Sequence, residues 1–72
     1  MKQPLTVIVE RDPESGWLVG EVVELPGCHT QAKSYDDLME RTKEAILLYL
    51  EEKKTDAIES RFVGLQQLEV EV

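Results

Sequence analysis

Hydrophobic and polar positions alternate along the first part of the chain, and the period changes near its middle. Residues 4–10, Pro-Leu-Thr-Val-Ile-Val-Glu, are rich in β-branched side chains, with Leu5, Val7 and Val9 on one side. That pattern predicts a strand. The polar stretch Arg11-Asp12-Pro13-Glu14-Ser15-Gly16 has Pro and Gly in turn positions. A second strand is predicted from Trp17 to Glu24, with Trp17, Val19 and Val23 on one face and Leu18, Gly20 and Val22 on the other. Two strands joined by a short polar loop predict an antiparallel hairpin. Leu25-Pro26-Gly27 ends the second strand, because proline offers no N–H to a ladder and glycine permits positive φ. A short third strand follows over Cys28–Lys33. Alternation turns Cys28, Thr30 and Ala32 to one side and His29, Gln31 and Lys33 to the other.

At Ser34 the period becomes helical. Ser34-Tyr35-Asp36-Asp37 is a variant capping box, in which the serine hydroxyl can accept from the N–H of Asp37, and both aspartates suit the positive end of the helix dipole. Leu38, Thr42, Ala45, Ile46 and Tyr49 make one stripe at helical spacing, widened by Met39 and Leu50. A helix is expected over about 35–54, with Lys53 and Lys54 at the negative end of its dipole. Residues 55–61 read as a polar connection. In 65–72, Leu68, Val70 and Val72 alternate with Gln67, Glu69 and Glu71, as in a half-buried strand. The predicted order is β-β-β-α-β: an α+β fold with one helix packed on a four-stranded, mostly antiparallel sheet. Residues 1–72 read as a single domain without repeats or linkers.

Length limits what such a chain can do alone. Seventy-two residues bury only about 60% of the surface that the unfolded chain exposes, so stability is marginal. One cysteine, Cys28, excludes an internal disulfide, and no Cys/His cluster suggests a structural metal. Self-association or a partner is the remaining source of stability, through a sheet edge or the final strand, and a dimer is the favoured form. No apolar run approaches the roughly 18 residues of a membrane span. Met1-Lys2-Gln3-Pro4 leads directly into a strand without a secretory cleavage pattern, and with one unpaired cysteine a cytoplasmic location is expected. Fifteen Asp/Glu against eight Lys/Arg give a net charge of −7, which disfavours nucleic acid as a direct ligand. The same charge would speed association with a basic protein, or would simply maintain solubility.

Catalytic candidates are few. Cys28 and His29 are adjacent, but neighbours in a strand point to opposite faces and cannot meet as nucleophile and base. Cys28 reads as a small buried hydrophobe. His29 reads as a solvent-facing strand residue that could still hydrogen-bond to a partner. Glu10, Glu40, Glu44, Glu69 and Glu71 raise the question of a metal-dependent nuclease, yet they form no recognisable motif and read as solvated charges. The four glycines, at 16, 20, 27 and 64, are too dispersed for a phosphate-cradling loop. No cofactor or metal is expected, and the chain reads as a binding domain and not an enzyme. Trp17 reads as core or dimer contact in preference to a partner anchor.

The stretch from Gly16 to Gln31, with an aromatic-bearing strand ending in Leu25-Pro26-Gly27-Cys28 and then Thr30, resembles the signature of the HicB-like antitoxin family. Ser34-Tyr35-Asp36-Asp37-Leu38 through Lys43-Glu44-Ala45-Ile46 to Tyr49-Leu50 resembles the family's capped acidic helix, and the opening strand ending in Glu10-Arg11-Asp12 also fits. Together these cover about residues 4–54. Ala32 stands where the family often has glycine. The resemblance implies a truncated ribonuclease-H-like fold and a role in binding and silencing a small basic toxin that cleaves messenger RNA. It does not carry catalysis with it, since no acidic metal-binding set maps onto this chain. Members commonly continue into a C-terminal DNA-binding domain, whereas this sequence ends after its last predicted strand, so direct DNA binding is not expected. Asp12, Glu14, Glu21 and Glu24 around the hairpin, together with His29, are the candidate contacts to a toxin. The alternative is an orphan domain that self-associates as an adaptor or regulator.

Overall fold

The computed structural model describes residues 4–53 and 61–71. Three strands precede one helix: β1 (Val7–Arg11), β2 (Leu18–Val22), β3 (His29–Ala32) and α1 (Tyr35–Lys53). The strands form an antiparallel sheet in the order β1-β2-β3. The α+β class and the single amphipathic helix therefore match the sequence pattern. Each strand is shorter than the apolar pattern that predicts it: β1 starts only at Val7 and runs on to Arg11, and β2 stops at Val22, where a turn over Val23 and Glu24 begins.

The first turn is held by Asp12. Its carboxylate accepts from the N–H of Glu14 at 3.1 Å and from the hydroxyl of Ser15 at 3.0 Å, while its backbone carbonyl accepts from the N–H of Gly16 at 2.8 Å. The second turn is tighter. The N–H of Cys28 donates to the carbonyl of Leu25 at 3.0 Å across Pro26 and Gly27, and Gly27 has φ 83°. Proline at the second position and a positive-φ glycine at the third are the requirements of a type II turn.

Burial and register agree on the two faces of the sheet. Val7 pairs with Val22, Val9 with Gly20, Gly20 with Thr30, and Leu18 with Ala32. These residues face α1; Gly20, Val22 and Ala32 are buried. Gly20 is closely covered: a Cβ there would lie 3.3 Å from Val7 Cγ1 and 3.4 Å from both Leu38 δ-carbons. Leu38 and Thr42 are the buried residues of the helical stripe, and the Thr42 hydroxyl donates to the Leu38 carbonyl at 2.6 Å. Ala45, Ile46, Tyr49 and Leu50 pack around the cluster of Val22, Leu25 and Cys28. The helix begins as its sequence dictates, with the N–H of Asp37 donating to the Ser34 hydroxyl at 3.2 Å and the N–H of Leu38 to the Ser34 carbonyl at 2.9 Å. Its backbone runs over β3 and β2 and not over β1, whose Val7 side chain packs against the same core.

The expected fourth strand is not in this sheet. Residues 61–71 carry no strand, and every one of them is exposed. A strand needs a neighbouring edge to satisfy its backbone, and within one chain this segment has not taken one. The sheet is thus three-stranded, and the helix ends at Lys53 among the described residues. Lys54, most of the expected connection over 55–61, and Val72 lie outside them.

Candidate partner-binding face

A sheet covered by one helix leaves its other face open. Alternation places Ile8 and Glu10 of β1, Val19 and Glu21 of β2, and His29 and Gln31 of β3 on that face. The register aligns them in two rows, Ile8–Glu21–His29 and Glu10–Val19–Gln31. Trp17 flanks β2 on the same side, opposite Lys33, whose Nζ lies 5.4 Å from the indole ring centroid. That is within the reach of a cation–π contact. Ile8, Trp17 and Val19 are half-buried, while Glu10, Glu21, His29 and Gln31 are exposed. Three apolar side chains are therefore interspersed with five polar groups on this face, two of them acidic and one, Lys33, basic. Such a mixture suits a partner-binding surface, which combines apolar contacts with polar groups.

The five candidate contacts separate on this framework. Glu21 and His29 lie in the same row as cross-strand partners. Glu14 is exposed at the hairpin tip beside that face. Asp12 is half-buried, and its carboxylate is engaged with Glu14 and Ser15, so its first task is to shape the loop. Glu24 is only 5% exposed and does not belong to a contact surface. Its carboxylate accepts the N–H of Thr6 at 2.7 Å. Burial works to raise the Glu24 pKa, but hydrogen bonds from the Thr6 backbone and side chain, with backbone groups of Glu24 and Phe62, outweigh it and hold the carboxyl below its ordinary range. Of the two places expected for Trp17, core or dimer contact, the core is corrected: the indole lies on the face away from the helix. Periodicity could sort residues between faces, but the cross-strand neighbours that make a patch of Ile8, Trp17, Val19 and Glu21 follow only from the register.

Cys28 is 4% exposed, and burial pushes its thiol pKa up, away from a reactive thiolate. His29 is exposed, so the two do not form a nucleophile–base pair. Glu10, on the open face, and Glu44, on the helix, lie on different layers. Among the described residues no three His, Cys, Asp or Glu side chains converge to hold a metal ion. Two shallow hollows flank the β3 edge of the helix, of about 250 Å³ beside Cys28 and Tyr49 and about 480 Å³ beside Thr30 and Arg41. Both are broad and open to solvent, unlike the enclosed clefts that take small molecules. No described helix is long and apolar enough to cross a membrane.

The model of a family described as the HicB-like antitoxin of bacterial toxin–antitoxin systems matches residues 5–69. The chain belongs to that family. It is also similar to a UPF0150 protein of Archaeoglobus fulgidus, 56% identical over 64 residues, covering 89% of this chain and 90% of the relative. UPF0150 proteins of Synechocystis sp. and Thermotoga maritima are 41% and 37% identical, covering 96% and 99% of this chain and 97% and 95% of theirs. No solved structure gives a significant match. The resemblance seen in Leu25-Pro26-Gly27-Cys28 thus holds at the level of the family, and the structure gives that step a physical meaning. Leu25 is fully buried, Pro26 and Gly27 make the type II turn, and Cys28 returns to the core. The Tyr49 hydroxyl donates to the Pro26 carbonyl at 2.9 Å, fastening the turn to the helix. This segment of the HicB-like chain is fold-defining.

Proposed function

We propose that this HicB-like protein is an antitoxin that binds and neutralises a small basic mRNA-cleaving toxin of the HicA type, acting by contact and without catalysis. The observation that carries the reading is the open sheet face. Ile8, Val19 and Trp17 offer apolar contact area, with Glu10 and Glu21 on the same face and Glu14 exposed in the adjoining hairpin loop, in a chain of net charge −7. A basic RNA-binding surface is the electrostatic complement of such a patch, and covering that surface would deny it to RNA. His29 contributes a hydrogen-bonding group on the same face. Family membership supplies the biological class of the partner. The protein acts in the cytoplasm, where messenger RNA is cleaved, and without contacting DNA itself, its acidity opposing phosphate binding.

The reading includes a homodimer with a ribonuclease-H-like sheet completed by a fourth strand. Exposed apolar side chains in residues 62–70 favour self-association. They equally suit an orphan adaptor that has lost its toxin.

The test is a pull-down from the native cytoplasm at low and high salt, with the captured species identified by mass. Recovery of a small basic ribonuclease, weakened by salt and inhibited by the purified protein, is the expected result. Recovery of the bait alone would favour the orphan adaptor, and a captured ribonuclease that stayed fully active would remove the antitoxin reading.

A further inference from the structure

Among the described residues, five of the eight exposed large apolar side chains lie in one short segment, the others being Tyr35, Leu47 and Leu48 of the helix. Val63 is 97% exposed, Leu65 69%, Leu68 80% and Val70 74%. Leu68 and Val70 alternate with Gln67, Glu69 and Glu71, a two-residue period with an apolar side and a polar side. Such a pattern has a physical use only when one side is covered.

The opposite lack is found at β1. It is an edge strand, paired on one side only with β2. The helix backbone runs over β2 and β3 and not over β1, of whose residues Val7 packs against the buried cluster. The helix-side residues Val7 and Val9 of β1 are only half-buried, as is Leu5 just before it. An unprotected edge with apolar flanks is a template for a further strand. At about 3.3 Å per residue, residues 65–71 are long enough to run the whole length of the five-residue β1.

We propose that residues 65–71 of one copy add as a fourth strand to the free edge of β1 in a second copy, and reciprocally, so that the protein is a strand-exchanged dimer. The two deficits are then resolved together, because the exposed apolar row covers the valines of a partner's β1 and the open ladder is filled. A twofold exchange of identical segments is a closed arrangement that leaves no further edge to propagate from β1. This specifies how the homodimer in the preceding reading is built, and it does not depend on a toxin.

Sedimentation of the whole chain over a wide range of concentration tests the proposal, together with amide hydrogen exchange of residues 65–71. The wild type is expected to sediment as a dimer at high concentration, with the amides of 65–71 protected in the dimer and released on dilution. Leu68→Glu/Val70→Glu is expected to reduce the mass to that of one chain while keeping the helical circular dichroism, since both side chains are exposed in the single chain. A wild type that is monomeric throughout would overturn both the exchange and the dimer. A dimer that survives Leu68→Glu/Val70→Glu, or that leaves 65–71 unprotected, would overturn the exchange alone. Protection that persists in the monomer would mean that the segment closes on its own sheet, and the exchange would again be wrong.

Discussion

The Glu24 carboxylate accepts the N–H of Thr6 at 2.7 Å, across 18 positions of sequence. The Thr6 carbonyl in turn accepts the N–H of Val23 at 2.9 Å. Thr6 leads into β1 and Glu24 follows β2, so the two bonds clamp the open end of the hairpin. Loss of a buried charge-assisted hydrogen bond costs about 1.5–3 kcal/mol. Because glutamine keeps an acceptor, Glu24→Gln is expected to destabilise the protein near the lower limit at pH 7. The carboxyl is held below its ordinary range in the folded state. Its stabilisation is therefore present above the unfolded value of about 4.3 and lost as pH falls through the lower folded value. Urea unfolding of both proteins at pH 7 and at progressively lower pH should show the gap between them closing in acid. A gap that stayed constant to the end of the acid range would mean that the Glu24 charge plays no part.

Gly20 lies under Leu38 of the helix and sets a limit on side-chain size. A methyl group there would meet Val7 Cγ1 at 3.3 Å and the Leu38 δ-carbons at 3.4 Å. These are side-chain atoms that can yield by a few tenths of an ångström, so Gly20→Ala should be nearly neutral. Gly20→Val adds volume with nowhere to place it and should cost about 1–3 kcal/mol through overpacking. Thermal unfolding of the pair checks this. Equal melting temperatures for the alanine and valine variants would show that the helix is free to shift away.

The Leu25–Cys28 turn tests whether backbone conformation or the helix tether matters more. Gly27 has φ 83°, with open space around its Cβ position. The cost of Gly27→Ala is therefore conformational, about 1–2 kcal/mol for an L-residue in the left-handed region. Tyr49→Phe removes the bond to Pro26, which is exposed. Water can take over that carbonyl, so the cost should be at the low end of a hydrogen bond, about 0.5 kcal/mol. Denaturant midpoints are expected to rank wild type, then Tyr49→Phe, then Gly27→Ala; the reverse order would place the stability of the turn in its tether.

Sequence alone reveals the local parts of this fold and misses those that depend on pairing. Ser34 and the stripe from Leu38 to Leu50 mark the helix because capping and helical period are local. Pro26 and Gly27 mark the type II turn, but nothing local says that β2 already stops at Val22 or that Leu25 is among the most buried side chains. Glu24 looks like a surface charge because its partner, Thr6, is chosen by the register of two strands. The alternation in residues 65–71 is real, but alternation records only that one side of a strand is to be covered and not which chain supplies the edge. For the same reason Trp17 could be assigned to a face but not to the patch it shares with Ile8 and Val19.

That patch yields the most direct functional prediction. Trp17 and Glu21 lie on the open face, Trp17 half-buried against Lys33 and Glu21 exposed between Ile8 and His29. A central aromatic anchor at a protein interface is worth about 2 kcal/mol or more, roughly 30-fold in affinity. Trp17→Ala should weaken toxin binding on that scale, chiefly by faster dissociation. Glu21→Lys places the wrong sign against a basic partner, and should slow association most at low salt, with the difference fading as salt screens it. Glu44→Lys makes the same charge change on the exposed side of the helix and should leave the anchor contacts intact, with only a small, salt-dependent loss from the altered net charge. Binding kinetics at two salt concentrations, with circular dichroism to verify folding, would separate the three variants. If Glu44→Lys impaired binding as much as Glu21→Lys, the acidity would be acting as a diffuse field and the open face would lose its claim to be the contact surface.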